Sequence, residues 1–492
     1  MAWSSPAISG DRDRRLAAAF LLCQLFNNPP CQALALYFAC NWTRSRPSAL
    51  HMSQSPIMHL TADLSFLHTD YLWRMPGSWV GYDYYSTSDF YEEIARIAQR
   101  GCMDMLFFGD TGGTPEDFGG SHEAPVRYGA KWPRHDMAPM IPLMAKAALN
   151  VGFAITMSTT YHHPFYVARF FNALDHVTRG RIAWNVVTSA YKNEAANYGF
   201  DEMMDHDERY VRAEEFVEVA FKLWNSVEQD AFIGDREKGI FADPSKVHRI
   251  DHRGKYFSVR GPLPALPSPQ QRPMIIQAGL SGPGMDLAAR YADLQFSTRR
   301  TIPSMQQHRA ALDKKLAAFG RTPPEVGILW SIRIQVAESD AAAKEKERRY
   351  LEAIPPQAGL IEMSAQYNVD FSKARAGMRL SDFADEVRSQ KGNYGSFDEL
   401  LKTIDPSQTV DEFGRRFLVD RILVAAGTPK SIADKLEEMH VASGSNGGFI
   451  LGRGYSAMDN MREFVEHVVP ELQRRGLAKK AYTGRTLREN MN

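Results

Sequence analysis

The amino-acid sequence predicts an α/β protein built as a closed (β/α)8 TIM barrel, with insertions in the loops that join strands to helices. Two observations carry this prediction. Short apolar runs alternate with amphipathic helical patterns from about residue 57 onward, which is typical of parallel βα units. Eight candidate strands can be counted, and this number favours a closed barrel over an open doubly wound sheet.

Each predicted strand is a short apolar run that ends in a polar or glycine-containing turn. In chain order the runs are IMHLTADLSFL (57–67), DMLFFGD (104–110), VGFAITMST (151–159), RIAWNVVTS (181–189), PMIIQAG (273–279), ADLQFST (292–298), VGILWSIRIQV (326–336) and GGFILG (447–452). Helical patterns occupy 89–101, 164–180, 204–224, 283–292, 304–320, 427–439 and 461–477. In the third of these, Phe216, Val219, Ala220 and Leu223 recur at helical spacing and predict the buried stripe.

Two stretches interrupt the alternation. Residues 226–272 predict an inserted hairpin and a proline-rich return loop, whereas residues 340–420 are charged and irregular. Such insertions usually extend βα loops and shape the active face of a barrel, so the second is a candidate lid. We therefore predict a single domain over residues 57–485 that carries both insertions, followed by a tail at 486–492.

Residues 1–56 differ from the rest and are predicted to be an extension. A basic pair precedes a short apolar run, yet neither a signal peptide nor a transit peptide fits the whole stretch. We favour a third interpretation, in which Met52 is the true start. Three of the four cysteines, Cys23, Cys31 and Cys40, lie here without the spacing of a disulfide framework or a zinc site.

Composition excludes several classes of function. Lys plus Arg and Asp plus Glu both number 58, so no net field recruits nucleic acid or an anionic membrane. No apolar run reaches the roughly 18 residues of a membrane span, and we expect a cytoplasmic protein, with organelle targeting left open by the extension. The adjacent His162 and His163 lack ligand spacing, so no metal is predicted. A glycine motif for a nicotinamide-binding domain is also lacking.

Candidate site residues lie where predicted strands end, because the active face of a barrel is at the carboxyl ends of its strands. Asp110 ends the second strand, and Thr156 lies in the third. His206 and Tyr210, one helical turn apart, open the helix that follows the fourth. A His beside an apolar stripe is otherwise more often a core residue, so this placement is what favours a functional role.

A glycine-rich turn follows the fifth predicted strand and runs directly into a helix. Ser281, Gly282 and Gly284 would offer backbone N–H groups, a hydroxyl and a positive dipole end, which together suit a phosphate. A plain tight turn explains the same residues, and the motif lacks the Lys of a P-loop.

Several longer stretches resemble one known family. They are AWNVVTSAYKNEAANYGF (183–200), HDERYVRAEEFVEVAFKLW (206–224), GKYFSVRGPL (254–263), RPMIIQAGLSGPGMDLAARYADLQF (272–296) and YTGRTLRE (482–489). Together they resemble the bacterial-luciferase-like flavin monooxygenases, in the branch of the nitrilotriacetate, EDTA, dibenzothiophene-sulfone and long-chain alkane monooxygenases. The resemblance runs from about residue 58 to the C-terminus.

The resemblance implies the oxygenase component of a two-component enzyme. Such an enzyme receives reduced FMN (FMNH2) from a separate NAD(P)H:flavin reductase and uses NAD(P)H only through that partner. The reduced flavin activates O2 as a C4a-hydroperoxide, which oxidises a small organic, xenobiotic-type substrate at nitrogen, sulfur or carbon. We also expect a homo-oligomer. Substrate identity does not follow from the shared motifs.

The resemblance also assigns FMN contacts to particular positions. They are Asp110, Thr156, His206, Tyr210, Ser281 and the backbone of Leu280. Relatives often carry a second Ser where Leu280 stands. They also usually read Asp-Gly-Phe near Gly448, on a strand that leads toward the substrate. His162, after the third strand, is a candidate acid or base.

Two alternatives fit the same fold. A deazaflavin-dependent oxidoreductase would transfer hydride on this barrel without using oxygen. A non-catalytic barrel would bind flavin and do no chemistry.

Overall fold

The computed structural model of the protein describes residues 57–65, 72–74, 85–375, 377–390, 394–402, 404–420, 422–444, 446–452 and 457–491. The predicted extension, residues 1–56, lies outside the described residues.

Eight of the thirteen strands in the described residues are parallel neighbours and close into a barrel. In chain order the strands are β1 (His59–Asp63), β2 (Met105–Phe108), β3 (Gly152–Ser158), β4 (Ile182–Val187), β5 (Phe232–Asp235), β6 (Ile240–Ala242), β7 (His252–Arg253), β8 (Ser258–Val259), β9 (Met274–Gln277), β10 (Leu294–Ser297), β11 (Gly327–Val336), β12 (Leu423–Gly427) and β13 (Gly448–Leu451). The ring runs β1, β2, β3, β4, β9, β10, β11, β13, and β13 pairs back with β1. The predicted (β/α)8 TIM barrel is confirmed, and its eight strands are the eight apolar runs.

Helices cover the outside of the ring and build the loops above it. In chain order they are α1 (Asp89–Arg100), α2 (Glu123–Tyr128), α3 (Ile141–Ala147), α4 (Pro164–Val177), α5 (Lys192–Asn197), α6 (His206–Trp224), α7 (Gly282–Tyr291), α8 (Ile302–Ala318), α9 (Asp340–Ala353), α10 (Pro356–Tyr367), α11 (Ala384–Ser389), α12 (Tyr394–Leu401), α13 (Val410–Asp420), α14 (Pro429–Ser443), α15 (Ala457–Glu463), α16 (Val469–Arg474) and α17 (Leu487–Asn490). A π-helical turn, Phe464–Val468, joins α15 to α16. The predicted stripe of α6 is fully buried, as its spacing requires.

Alternate side chains of the barrel strands fill the interior. The interior cluster contains Met105, Phe107, Ala154, Ala183, Met274, Ile276, Leu294, Leu329, Ile450, Leu487 and Met491. Two residues beyond Ala154 and Ala183, the strand period brings Thr156 and Asn185 to the same side. Polar side chains thus begin on these two strands where the apolar filling of the barrel ends.

Residues 486–491, assigned to a tail from the sequence, fill the amino-terminal end of the barrel. Leu487 is only 1% exposed and belongs to the interior cluster. Next to it, Arg488 donates to Asp293 at 2.7 Å, and Arg272 donates to the same carboxylate at 2.7 Å and 3.0 Å. Burial acts to raise the pKa of Asp293, but the two guanidinium groups outweigh it and lower that pKa to about 2.

The insertion at 226–272 contains two hairpins, β5–β6 and β7–β8, where the sequence indicated one. The second hairpin is held against α6 by Glu215. Its carboxylate accepts hydrogen bonds from the backbone N–H groups of Tyr256 (3.0 Å) and Phe257 (2.9 Å), and it contacts His252 Nε2 at 3.1 Å.

The insertion at 340–420, predicted to be irregular, is mostly helical and comprises α9–α13. It has its own core, which includes Met363, Tyr367, Phe371, Phe383, Phe397, Phe413 and Phe417. The segments are short and highly charged, so helical periodicity was hard to read from the letters. An ion pair joins the insertion to the loop after β2, with Lys131 Nζ 3.3 Å from Glu362 and both side chains only 2% exposed. Asn368 donates to the Ala190 carbonyl, in the loop after β4, at 2.9 Å.

One strand was not predicted. β12 pairs in parallel with the outer half of β11, from Ile332 to Val336, beyond the stretch where β11 pairs with β10. Its sequence, LVAAG, is short and contains two alanines, so it gives little strand signal.

No helix among the described residues has both the length and the apolar character needed to cross a bilayer. The described cysteine, Cys102, carries a free thiol.

Candidate flavin-binding site

Thr156 lies at the upper end of the barrel interior, between β2 and β4. Its hydroxyl donates to the Phe108 carbonyl at 2.9 Å and accepts from Asn185 Nδ2 at 2.8 Å. Asn185 is 3% exposed, and its carbonyl oxygen has no hydrogen-bond partner within the part of the chain that the structure describes. A buried acceptor without a partner is rare in folded proteins and indicates a place where a ligand can donate.

Asp110 stands at the carboxyl end of β2 with its side chain open to the mouth of the barrel. Although the Asp110 side chain is exposed, the protein atoms near it displace part of its hydration. This desolvation raises the pKa of Asp110 to about 6, against the lowering effect of Arg134 and of the hydrogen bond from Thr111 N–H at 2.8 Å. Near neutral pH the group is therefore a carboxylate that gains a proton readily.

His206 and Tyr210 open α6 on the same face. The preceding residue, Asp205, caps the helix by accepting from Asp207 N–H at 3.0 Å. The two rings are 5.1 Å apart between centroids, as their spacing of one turn predicts. His206 Nδ1 lies 2.7 Å from the Asp207 carboxylate, so that side chain orients the ring.

The Tyr210 hydroxyl reaches the glycine-rich turn between β9 and α7. A Cβ on Gly279 would lie 2.7 Å from that hydroxyl, and a Cβ on Gly284 would lie 3.0 Å from it. Only residues without side chains therefore fit on both sides of the tyrosine oxygen.

Ser281 is the N-cap of α7, and its Oγ accepts from Gly284 N–H at 3.2 Å. The first N–H groups of a helix have no partner within it, and Pro283 has none to offer. Within the described chain the N–H groups of Leu280, Ser281 and Gly282 also find no acceptor. These three amides, the positive end of the α7 dipole and the nearby Tyr210 hydroxyl are groups that suit an anion, so the turn is a candidate anion site.

A buried network of hydrogen bonds holds the glycine-rich turn between β9 and α7 in place. Gln277 Oε1 accepts from Gly279 N–H at 2.7 Å, and Gln295 Nε2 donates to the Gly279 carbonyl at 3.0 Å. His308 Nε2 contacts Gln295 Oε1 at 2.9 Å. Burial lowers the pKa of His308 to about 4, so the ring stays neutral and serves as a donor in this network.

Glu194 and Arg209 join the Asp110 end of the site to the Tyr210 end. Glu194, 5% exposed, accepts from Thr111 Oγ1 at 3.2 Å, and burial raises the pKa of this carboxyl. Arg209, 2% exposed, donates to the Ser189 carbonyl and lies close enough to Glu194 for the two charges to interact. Thr111 follows Asp110 and Arg209 precedes Tyr210 in the chain, so Glu194 and Arg209 link the neighbourhoods of two predicted site residues.

Sequence reasoning did not identify four supporting residues: Asn185, Glu194, Arg209 and Gln277. A signal was present for Asn185 and Gln277, since each is a lone polar residue in an apolar strand run. Glu194 and Arg209 lie in stretches that resemble the family. Other charged residues lie near both in the sequence, so no signal distinguishes either one.

His162 lies after β3, at the edge of the mouth. Its ring packs edge-on against Tyr198 at 5.8 Å, and burial lowers the pKa of His162 against the raising effect of Asp136. The adjacent His163 instead caps α4 by accepting from Phe165 N–H at 3.3 Å. The two histidines thus have separate roles.

Gly448 is at the opposite end of the barrel. It begins β13, and a Cβ there would lie 2.1 Å from the His59 carbonyl oxygen, which leaves no room for a side chain. Gly447 is equally confined, because its Cβ would lie 2.0 Å from the Ile328 carbonyl oxygen. Both glycines therefore lie at the amino-terminal end of β13, away from the end of the strand that faces the candidate site.

Comparison with known proteins identifies similar chains. A family model described as luciferase-like monooxygenase matches residues 75–446. The chain is 34% identical over 448 residues to the dibenzothiophene-sulfone monooxygenase of Rhodococcus erythropolis (strain XP), covering 89% of this chain and 97% of that one. It is 34% identical over 422 residues to nitrilotriacetate monooxygenase component A of Aminobacter aminovorans, covering 82% and 89%.

Two solved structures have the same overall architecture. A crystal structure of long-chain alkane monooxygenase superposes with a TM-score of 0.78 at 32% identity, covering 88% of this chain and 95% of that one. A riboflavin lyase, solved with modified FMN and riboflavin, superposes with a TM-score of 0.77 at 27% identity over the same shares.

Proposed function

The chain belongs to the luciferase-like monooxygenase family, and we propose that it is the oxygenase component of a two-component system that uses reduced FMN and O2 to oxidise a small organic compound. Family membership confirms the recognition made from the sequence and the prediction of a flavin-dependent monooxygenase. The cofactor's redox state, the substrate class and the residue roles below are our proposal.

The observation that carries the proposal is the anion site at the start of α7. FMN ends in a phosphate, and three amides without acceptors, a helix dipole and a tyrosine hydroxyl match that group. Ser281 would contribute its hydroxyl, and Leu280 only its backbone N–H. His206, beside Tyr210, would close the site on the solvent side.

The floor of the barrel mouth fits the polar edge of a flavin ring. The partnerless Asn185 oxygen can accept a hydrogen bond from a ring N–H. Thr156 holds Asn185 in place, and Asp110 as a carboxylate can accept from the ring or the ribityl hydroxyls. The chain thus offers acceptors at one end of the site and donors at the other.

When bound, reduced flavin would supply the activation of O2 and the transfer of one oxygen atom to the substrate. The protein's part is to hold the ring, to keep water from it and to manage protons. The insertion α9–α13, joined to the barrel by Lys131 and Glu362, stands where it can exclude water. His162, whose pKa is lowered, is neutral near pH 7, so its free ring nitrogen can accept a proton.

We extend the proposal to the partner protein, the location and assembly of the enzyme, and its class of substrate. Since a relative is named as a component A, we propose a separate NAD(P)H:flavin reductase as the source of reduced FMN. We also propose a cytoplasmic homo-oligomer, as the family resemblance implies. Sulfone, amine and alkane relatives are about equally similar, so the substrate is assigned only as a small compound oxidised at N, S or C.

The test supplies the purified protein with FMN, a flavin reductase and isotopically labelled O2, together with a panel of sulfides, sulfones, tertiary amines and alkanes. We expect one labelled oxygen atom in the product of at least one class. Turnover with reduced deazaflavin in the absence of O2 would instead favour the hydride-transfer alternative.

A further inference from the structure

The proposed flavin contacts occupy one half of the barrel mouth. Asp110, Thr156, Asn185 and Ser281 lie in or after β2, β3, β4 and β9, which are four consecutive strands of the ring. The other half of the mouth is formed by β10, β11, β13 and β1. Because a substrate must lie beside the flavin ring to react with it, side chains on this second half can select the compounds that are oxidised.

Arg333 lies on the second half, on the inward face of β11. Side chains alternate along a strand, and Leu329 belongs to the interior cluster, so Arg333 lies on the same face four residues further along. β10 ends opposite Trp330, and β13 ends opposite Ile332. Arg333 therefore lies just beyond the carboxyl ends of both neighbouring barrel strands, which places it at the mouth.

The Arg333 side chain is buried, and its hydrogen bonding is incomplete. The residue is 3% exposed. Its Nη2 donates to Glu347 Oε1 at 3.3 Å, and its Cζ lies 5.6 Å from the centroid of the Tyr350 ring. Its Nε is shielded from solvent and has no hydrogen-bond partner among the described residues. A guanidinium has five N–H donors, so the single bond to Glu347, whose side chain is 29% exposed, leaves donors for a second acceptor.

The insertion covers Arg333 on the side away from the barrel interior. Glu347 and Tyr350 both belong to α9, the first helix of the insertion. Gln335, two residues beyond Arg333 on the same face, donates to the Ala343 carbonyl of α9 at 2.8 Å. The guanidinium thus lies between the barrel mouth and α9, where little water screens its charge.

We propose that Arg333 binds a carboxylate group of the substrate, so that the compound oxidised is a small organic acid. The inference rests on the proposed function, which assigns the flavin to the opposite half of the mouth. The planar guanidinium suits a carboxylate, because the two groups can form two parallel charge-assisted hydrogen bonds. Arg299 and Arg300, directly after β10, add positive charge to this half, and Asp63, at the end of β1, adds negative charge. A substrate carboxylate would join Asp63 and Glu347 in balancing the three arginines.

The test measures the binding of matched acids and amides to the protein saturated with oxidised FMN. The probes are benzoate and benzamide, hexanoate and hexanamide, and (methylthio)acetate and its amide, with dissociation constants from titration calorimetry. We expect at least one acid to bind about 10- to 100-fold more tightly than its amide, and Arg333→Gln to abolish this preference. Arg333→Lys keeps the charge but cannot form two parallel bonds, so it should retain a preference of about three- to tenfold.

Glu347→Gln is the matched control, because it removes the carboxylate beside Arg333 and leaves the arginine in place. If Arg333 served only to anchor α9, the loss of either member of the pair would have the same effect. We expect instead that Glu347→Gln binds the acids at least as tightly as the natural chain does. Circular dichroism and FMN titration show whether each variant is folded, and if Arg333→Gln is not, Arg333→Lys and Glu347→Gln decide the matter.

Equal binding of each acid and its amide by the natural chain would overturn the inference and leave the proposed oxygenase intact. A preference for acids that persists in Arg333→Gln, or that Glu347→Gln also abolishes, would overturn it as well. A natural chain that fails to bind FMN in the first titration would instead overturn the proposed function, and this inference with it.

Discussion

The hydroxyl of Tyr210, on α6, lies where a Cβ on Gly279 would be only 2.7 Å away, in the turn before α7. This close approach brings a side chain from the helix after β4 to the proposed anion site after β9. It depends on a residue without a side chain at 279, and it makes this contact the most sensitive point of the proposed cofactor site.

Gly279→Ala is therefore expected to weaken FMN binding about tenfold or more. The new methyl group would press on the Tyr210 hydroxyl and lie 2.9 Å from Gly284 Cα, and overpacking of this kind costs about 1–3 kcal/mol. The measurement is a fluorescence titration with FMN. Gly282→Ala is the control in the same turn, since a Cβ there meets nothing within 4 Å. Equal binding by both variants and the natural chain would contradict the assignment.

Ser281→Ala should weaken FMN binding roughly ten- to hundredfold, because a hydroxyl bonded to a phosphate is worth about 1.5–3 kcal/mol. Tyr210→Phe should act in the same direction.

Loss of the Ser281 cap also costs about 1 kcal/mol of stability, so a cap elsewhere is needed for comparison. Thr428→Ala removes the equivalent cap of α14, where Thr428 Oγ1 accepts from Ser431 N–H at 3.2 Å. It should lower stability and leave binding unchanged. If Ser281→Ala and Tyr210→Phe bind like the natural chain, the phosphate assignment fails.

Because the pKa of Asp110 is raised, the free energy of unfolding of the flavin-free protein should fall as pH rises. Its pKa is about 6 in the folded chain and 3.8 when unperturbed, so between these values the folded state holds more protons than the unfolded state. The free energy of unfolding should fall as pH rises through this window and stay lower above it. Asp110→Asn should stabilise the empty protein near pH 7 by at most about 1 kcal/mol, because solvent screens this exposed group.

The same substitution should weaken FMN binding, since an amide cannot replace a carboxylate acceptor fully. Thermal unfolding at pH 5 and pH 8, followed by FMN titration, measures both effects. A variant that is less stable than the natural chain at pH 8, or that binds FMN equally well, would refute the role given to Asp110.

Glu362→Gln should loosen the insertion α9–α13. It leaves Lys131 buried beside an uncharged partner, and breaking one half of a buried pair costs about 3–5 kcal/mol. We expect faster proteolysis within the insertion and more hydrogen peroxide released when reduced FMN meets O2. Glu352→Gln removes the exposed pair with Arg348 in α9 and should change neither, since surface pairs contribute about 0–1 kcal/mol. Unchanged proteolysis and peroxide release in Glu362→Gln would rule out the insertion as a cover.

Leu487→Ala should destabilise the barrel by about 2–5 kcal/mol, the usual effect of a cavity in a core. Denaturant unfolding measures this directly. Leu149→Ala, at an exposed position, should cost less than about 0.5 kcal/mol. An equally small effect at Leu487 would mean that residues 486–491 are a dispensable tail.

The barrel could be predicted because each of its strands is an apolar run between turn residues. The order of these runs also located the active face, and together with the family resemblance it led to the prediction of Asp110, Thr156, His206, Tyr210 and Ser281 as site residues. Physical proximity within one helix or turn, such as that of His206 and Tyr210, follows from helical spacing.

The rest depends on contacts between distant parts of the chain, which periodicity does not encode. Arg209 donates to the carbonyl of Ser189, twenty residues earlier in the chain, and its charge interacts with that of Glu194. The short charged helices α9–α13 gain their stability from a shared core, and Leu487 is buried only because the barrel is open at its lower end. Propensity alone is a weak guide where packing decides the outcome.

The most direct test of the central claim is an anaerobic titration of the purified protein with reduced and with oxidised FMN, followed by rapid mixing of the reduced complex with O2. We predict tighter binding of reduced FMN and, after mixing, a transient absorbance that belongs to neither reduced nor oxidised flavin. Equal binding of the two forms with direct reoxidation and no transient would contradict an oxygenase and leave a barrel that binds flavin for another purpose.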